Sequence, residues 1–186
     1  KDGFDLKSHL TEFLDIESKY LNQFLESAKK ELANLHPGDG LLDCEDFYKE
    51  IVGDKHLADL AAWHITSKEY ISDTLRLQQM FAKNTVLDFG GGIGTHALAN
   101  AMSNNVKHVF FVDINKTNRD FVSFRANQLG LKNKISFHHS ISDISIPTFD
   151  TIVCLDVLEH LSDPSNQLEI FYEIMNVESV ALFNWY

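Results

Sequence analysis

Three groups of residues in this 186-residue chain have types and spacings suited to chemistry. The first is Asp88 with the glycines behind it: Thr85-Val-Leu-Asp88-Phe-Gly90-Gly91-Gly92-Ile-Gly94 is a short apolar run that ends in an acid and breaks into a glycine turn. Glycine lets a backbone reverse sharply and pass directly beneath a ligand. The second is Asp113, which closes Val109-Phe-Phe-Val-Asp113 at 113 − 94 = 19 positions beyond the last of those glycines. That offset is close to the ~20 residues at which an acid after the second strand of a nucleotide-binding unit meets the ribose hydroxyls. Such a carboxylate also argues against a ligand phosphorylated on that ribose. The third group is Asp156-Val-Leu-Glu159-His160, with two acids and an imidazole at i, i+3 and i+4. In a helical turn all three share one face, and His160 is then the candidate general base, because an imidazole titrates near neutral pH. The plainer reading gives Glu159 and His160 to hydrogen bonds with the local backbone.

These groups need elements to position them, and the hydrophobic pattern supplies them. Val86 and Leu87 read as a buried parallel strand, and Thr95-His-Ala-Leu-Ala-Asn-Ala-Met as a helix whose Ala97, Leu98 and Ala101 pack on the sheet. Further strands are expected at Val109–Asp113, Lys134–His138, Thr151–Leu155 and Ser179–Trp185, with Ser162-Asp163-Pro164 capping a helix before the last. Residues 84–186 therefore read as an α/β Rossmann-like domain, a doubly wound, mostly parallel sheet. Ligands in such sheets bind outside the carboxyl ends of the strands where strand order reverses, and Asp88 and Asp156 are expected to end neighbouring central strands there. Residues 1–83 read as helical: one long amphipathic helix over 6–35, a short one over about 43–52, and a third over 55–81. Most of their side chains are expected to cover apolar sheet. The sharper reading makes residues 1–83 a lid that excludes water and fixes an acceptor, with Trp63, His64 and Tyr70 as its substrate-facing side chains.

Two ligands compete for the glycine turn. A nicotinamide dinucleotide wants its pyrophosphate on the helix amino terminus through GxGxxG, and the register from Gly90 places Thr95 where the last glycine belongs. The register Gly92-Ile-Gly94-Thr-His-Ala97 does meet the looser GxGxxA form, so an NAD-dependent oxidoreductase stays open on the glycines alone. Asp88 separates the two, because a carboxylate directly before the loop repels a pyrophosphate and suits an amine or a sulfonium.

The chain here resembles the class I S-adenosylmethionine-dependent methyltransferases of the small-molecule branch, a group that includes the quinone-biosynthesis O-methyltransferases. Val-Leu-Asp88-Phe-Gly90-Gly91-Gly92-Ile-Gly94 is similar to the first motif of that family, Phe-Val-Asp113-Ile114 to its second, and Phe149-Asp150 through Asp163-Pro164 to its fourth-strand segment. The resemblance runs from about Thr85 to the end of the chain. It implies S-adenosylmethionine as methyl donor and S-adenosylhomocysteine as product. Asp88, Gly90, Gly91, Gly92 and Gly94 would line the methionine side, Asp113 the ribose and Ile114 one face of the adenine, with Leu155 a further cofactor-binding residue. Ser140 and Ile141 would meet the adenine edge, unless Asp143 or a backbone amide does so. Asp156, Glu159 and His160 are the implied catalytic residues. Two carboxylates and an imidazole also admit a divalent metal, but metal-free relatives carry the same Glu-His pair, so no metal is expected. The family sheet has seven strands and this sequence accommodates five, so either the fold is shorter or the sequence stops before its last strands. A non-catalytic S-adenosylmethionine-binding module remains a further alternative, distinguished by cofactor binding without methyl transfer.

Composition bounds the partners. The formal charge of 16 − 27 = −11 repels a nucleic-acid backbone, and no lysine or arginine cluster offsets it. A small neutral or cationic acceptor, free or carried on a partner protein, fits better. With 44% hydrophobic residues and 14 phenylalanines the chain can bury one good core. No apolar run approaches the ~18 residues of a membrane span. The two cysteines, Cys44 and Cys154, lack metal or redox spacing and read as reduced thiols, and the first residues carry no signal-peptide pattern, so the expectation is a cytoplasmic protein with no membrane partner. Oligomeric state is not legible.

Overall fold

The computed structural model describes residues 4–35 and 53–185. Strands β1 (Asn84–Phe89), β2 (Val106–Val112), β3 (Ile135–His138), β4 (Phe149–Cys154) and β5 (Met175–Phe183) form one sheet in the order β3-β2-β1-β4-β5, with each neighbouring pair parallel. Strand order reverses between β1 and β4, so the crevice lies where Asp88 and Asp156 leave these two strands, as expected.

Helices α1 (Leu6–Phe13), α2 (Leu21–Leu35), α3 (Gly53–Thr66) and α4 (Lys68–Phe81) precede the sheet, and α5 (Thr95–Met102), α6 (Lys116–Gln128) and α7 (Pro164–Glu173) connect its strands. Parallel strands require such crossovers. One face of the sheet, with Val86, Val109, Phe111 and Val153, packs beneath α5 and α6 through Ala97, Leu98 and Val122. The other, with Leu87, Phe149 and Ile152, meets Phe171 of α7. A third core joins Leu6, Leu10, Leu25, Leu57 and Ala61 of the first helices to Ile93 of the glycine loop and Phe121 of α6. The amino-terminal helices thus share buried surface with the loop, and each fully buried leucine there contributes roughly 1.5–3 kcal/mol.

The cap read from sequence before the last helix holds, and the structure adds another. The Asp163 carboxylate accepts the Asn166 N–H at 2.9 Å with Pro164 at the first helical position, and Asn115 caps α6 by accepting the Asn118 N–H at 3.2 Å.

β2 and β4 begin two or three residues earlier than expected, and three elements depart further. The helix over 6–35 is two helices: Asp15 turns left-handed at φ 53°, and a 3₁₀ turn over Ser18–Tyr20 starts the second. The reason is legible afterwards, since between Leu14 and Leu21 only Ile16 and Tyr20 interrupt a polar stretch and neither continues the buried stripe. The helix over 55–81 is broken at Ser67. The Thr66 hydroxyl there donates back to the Ala62 and Trp63 carbonyls, a bond pattern that bends helices. The last strand starts at Met175 rather than Ser179 and ends at Phe183, because Met175 already pairs with Phe149 before a register shift. The helix expected over 43–52, and Cys44, lie outside the described residues. Among the described residues no helix is long and apolar enough to cross a membrane, and Cys154 is a buried free thiol.

Candidate functional site

A cavity of about 1060 Å³ opens at the carboxyl ends of β1, β2 and β4 and is walled on its far side by residues of α2, α3 and α4, among them Leu25, Leu60, Trp63 and Ile71. Asp88 lies on its floor and is 2% exposed. Burial and the neighbouring Asp113 carboxylate push its carboxyl up to about 7, against which the Ala97 N–H works by hydrogen bonding. Asp88 Oδ2 is fully buried and has no hydrogen-bond partner among the described residues. A buried acceptor without a donor costs of order 1–3 kcal/mol, so this oxygen is a position where a bound cation or N–H group would relieve an existing penalty.

The glycine turn is shaped from both sides. Gly94 has φ +75°, and a Cβ on it would lie 2.4 Å from Val122 of α6, so this glycine serves packing, and it is not part of the cavity wall. A Cβ on Gly91 would stand 2.4 Å from the Phe111 ring, whereas one on Gly92 would meet only the Leu60 methyl at 3.2 Å. Gly90, Gly91 and Gly92 do line the cavity.

Asp113 is the hub that joins the loop to β2. Its Oδ2 accepts the Gly92 N–H at 2.9 Å and its Oδ1 the Asn115 N–H at 2.8 Å, while Asn118 Nδ2 reaches both oxygens at 3.3 and 3.4 Å. Burial nevertheless raises its carboxyl to about 6. Arg119 donates to the Asp113 carbonyl. Asn118 is 1% exposed and lines the cavity, and its Oδ1 is buried with no partner among the described residues. Ile114 and Leu155 also line the cavity; Ser140 and Ile141 do not. Ser140 instead caps a 3₁₀ turn, its N–H donating to Asp143 Oδ2 at 3.0 Å, and Ile141 packs beside the α7 core.

The Asp156-to-His160 segment only partly meets its expected form. Its turn covers Leu158–His160, and Asp156 precedes it with φ 57°, so the i, i+3, i+4 helical face is not formed. All three side chains still line the cavity. Asp156 Oδ1 accepts from the Tyr70 hydroxyl at 3.0 Å and from Asn184 Nδ2 at 2.6 Å, and Glu159 Oε2 is buried without a partner among the described residues.

Trp63 and His64 line the cavity, their rings 5.1 Å apart, and Tyr70 stands edge-on to Trp63 at 5.3 Å just behind the wall. Burial lowers His56, His64 and His96 to about 4, which keeps these three cavity imidazoles neutral at physiological pH. His64 Nδ1 donates to the Leu60 carbonyl at 2.9 Å, and His96 Nε2 bonds the Thr74 hydroxyl at 2.9 Å. His160 is exposed at the rim. His138 bonds Ser136 Oγ at 2.8 Å on the sheet, away from the cavity. Among the described residues no group of three or more histidine, cysteine or acidic side chains is placed to hold a metal ion.

A family model described as a methyltransferase domain matches residues 62–184. The chain belongs to that family. The methyltransferase-family match begins inside α3, so it takes in the bend at Ser67 and the helix carrying Tyr70 as well as the whole sheet. Ubiquinone biosynthesis O-methyltransferases from Psychrobacter arcticus and Psychrobacter cryohalolentis are both 26% identical to the chain, over 107 and 121 residues, or 55% and 62% of its length. It spans less than half of those relatives, 41% and 46%. The fold is also that of magnesium protoporphyrin IX methyltransferase from Synechocystis, solved with bound S-adenosylmethionine, at TM-score 0.55 and 18% identity over 75% of each chain. A methyltransferase from Geobacter sulfurreducens, solved with S-adenosylhomocysteine, matches at TM-score 0.52 and 16% identity over 62% of this chain and 47% of its own.

Sequence reasoning missed Asn118, Asn184, His56 and Arg125. Asn118 carried a signal, three residues after Asn115 in a helix-cap pattern, but nothing that tied it to the ligand. Arg125 is fully buried on the α6 stripe between Val122 and Ala126, donating to the Ile93 carbonyl at 2.7 Å and to the Phe4 carbonyl at 3.4 Å. Its place on an apolar face was visible in the spacing.

Proposed function

We propose that this protein transfers the methyl group of S-adenosylmethionine to an oxygen, nitrogen or carbon nucleophile on a small molecule. The single observation that carries the reading is Asp88, a buried acid with an unpartnered oxygen on the floor of the cavity. A positive methionine end fits it, and a diphosphate does not. The residues present fit the donor at its other end too: Asp113 and the unpartnered Asn118 Oδ1 face the cavity where ribose hydroxyls need acceptors, and Ile114 and Leu155 offer apolar surface for adenine. When bound, S-adenosylmethionine supplies an electrophilic methyl on a sulfonium.

The chain's own residues supply positioning and proton handling. Gly90, Gly91 and Gly92 let the backbone approach the ligand, and Gly92 N–H is held in place by Asp113. His160, at the rim, takes the proton from the acceptor, with Glu159 beside it. Trp63 and Leu60 exclude water from the acceptor end. Among the described residues the cavity wall carries six carboxylates (Glu26, Asp59, Asp88, Asp113, Asp156 and Glu159) and neither lysine nor arginine, which favours a neutral or cationic acceptor, free or held on a carrier. Support comes also from the named activities of the Psychrobacter relatives and from neighbours solved with the donor or its product. The reading includes a cytoplasmic setting, with which the free buried Cys154 agrees. It also treats residues 1–83 as the cap and 84–186 as the donor-binding part.

Calorimetric titration with S-adenosylhomocysteine and, separately, NAD tests this. Saturable binding of the first alone is expected; binding of NAD alone would reverse the assignment to an oxidoreductase. Donor binding with no methyl transferred to panels of oxygen, nitrogen and carbon nucleophiles would leave a binding module.

A further inference from the structure

Asp156 leaves β4 in the left-handed region at φ 57°, which a residue with a Cβ occupies only where its surroundings hold it. Asn184, just past β5, grips it twice: Asn184 Oδ1 accepts the Asp156 backbone N–H at 2.7 Å, and Asn184 Nδ2 donates to Asp156 Oδ1 at 2.6 Å. The same Nδ2 donates to the Tyr70 hydroxyl at 2.8 Å, and that hydroxyl donates in turn to Asp156 Oδ1 at 3.0 Å. Three elements far apart in sequence, α4, the β4 exit and the β5 exit, close into one hydrogen-bonded knot. Tyr70 also carries the Trp63 ring of the cavity wall, edge-on at 5.3 Å.

What the knot holds lies immediately downstream. Val157 packs so closely over the glycine loop that a Cβ on Gly90 would be 2.5 Å from Val157 Cγ2, and Glu159 and His160 follow on the cavity wall. The direction in which the chain leaves Asp156 therefore sets both the cover of the loop and the place of the proton acceptor.

We propose that Tyr70 and Asn184 are positioning residues that act through Asp156, holding the Val157–His160 turn against the glycine loop and fixing α4 beside the same cavity. Asp156 then belongs to this framework, its Oδ1 committed to two donors, and is not the base. The meaning given to the site rests on the methyltransferase reading; the knot itself does not.

The test compares Tyr70→Phe, Asn184→Ala, Asp156→Ala and Asp156→Asn by amide hydrogen exchange over residues 156–161 and by calorimetric affinity for S-adenosylhomocysteine. Asn184→Ala and Asp156→Ala are expected to speed exchange in that turn about tenfold or more and to weaken the ligand about tenfold, with Tyr70→Phe about threefold in each, as expected for losing hydrogen bonds of ordinary strength. Asp156→Asn is expected to rescue both, because asparagine accepts the same two donors and tolerates a left-handed backbone. Exchange in β1 and β2 stays at wild-type rates throughout. Wild-type exchange and affinity in Tyr70→Phe and Asn184→Ala would overturn the inference. So would faster exchange spread equally over β1 and β2, which marks general destabilisation. Should the unmutated protein fail to bind S-adenosylhomocysteine, the functional reading falls, and the exchange arm still decides the knot.

Discussion

Replacing Asp88 by asparagine should stabilise the protein at alkaline pH while weakening its hold on the donor. The folded carboxyl is raised from an ordinary 3.8 to about 7, so it keeps its proton to higher pH than the unfolded one does. Wild-type stability therefore falls as pH rises through that window. A gap of about three pH units at ~1.4 kcal/mol each sets a ceiling of ~4 kcal/mol on this destabilisation above ~pH 7. Asparagine keeps an oxygen for the Ala97 N–H but puts an unpartnered N–H where Oδ2 was, a loss of about 1–3 kcal/mol. The difference leaves a net gain of ~2 kcal/mol at ~pH 8, or about 4–8 °C in Tm for a domain of this size. Only below the unfolded value, at ~pH 3.5, do both states hold the proton, so there only the loss remains and the order of the two proteins reverses. Thermal melts of both proteins at the two pH values measure this directly. In parallel, titrations should show the variant losing more affinity for S-adenosylmethionine, which is cationic at sulfur, than for S-adenosylhomocysteine, which is not. A variant less stable than wild type at ~pH 8, or a Tm difference that does not change with pH, refutes the claim that burial holds this carboxyl in its raised state.

Gly94→Ala is expected to cost about 2–4 kcal/mol, read from urea midpoints, because the new methyl meets Val122 at 2.4 Å on a left-handed backbone. Arg125→Met removes a buried cation that holds the Ile93 and Phe4 carbonyls, and should lower stability by roughly 3 kcal/mol and weaken S-adenosylhomocysteine binding, both measurable by melts with and without the ligand. His160→Gln should lower kcat about 10²-fold or more with any accepted substrate while leaving S-adenosylhomocysteine affinity within about twofold, as measured by turnover and titration; an unchanged kcat removes it as the base.

The central strands were legible because parallel strands buried on both faces are short apolar runs, and the first two run into an acid: Asp88 and Asp113 follow Val-Leu and Phe-Val, while Asp163-Pro164 announces α7. Cavity-lining residues lie within a few positions of those ends, so local pattern pointed to Gly92 and Asp113, and the family resemblance to Ile114 and Leu155. The helices before the sheet were harder. The apolar period lapses only briefly between Leu14 and Leu21 and runs through the second break, and the breaks themselves are backbone turns at Asp15 and Ser67. Contacts between distant segments left no local trace: Tyr70 and Asn184 meet Asp156 across 86 and 28 positions. Ser140 stands after a strand, as an adenine contact would, yet its own turn with Asp143 claims it.

Val122 and Phe111 fill the volumes where side chains at Gly94 and Gly91 would go, so these two positions are dictated by the scaffold whatever the loop carries. A descendant of this protein that had lost its catalysis would still be compelled to keep them, and a search for working enzymes by that motif would collect inert cousins alongside active ones. Asp88 is the better discriminator: an ionisable group that weakens the fold survives mutation and drift only while occupancy repays it.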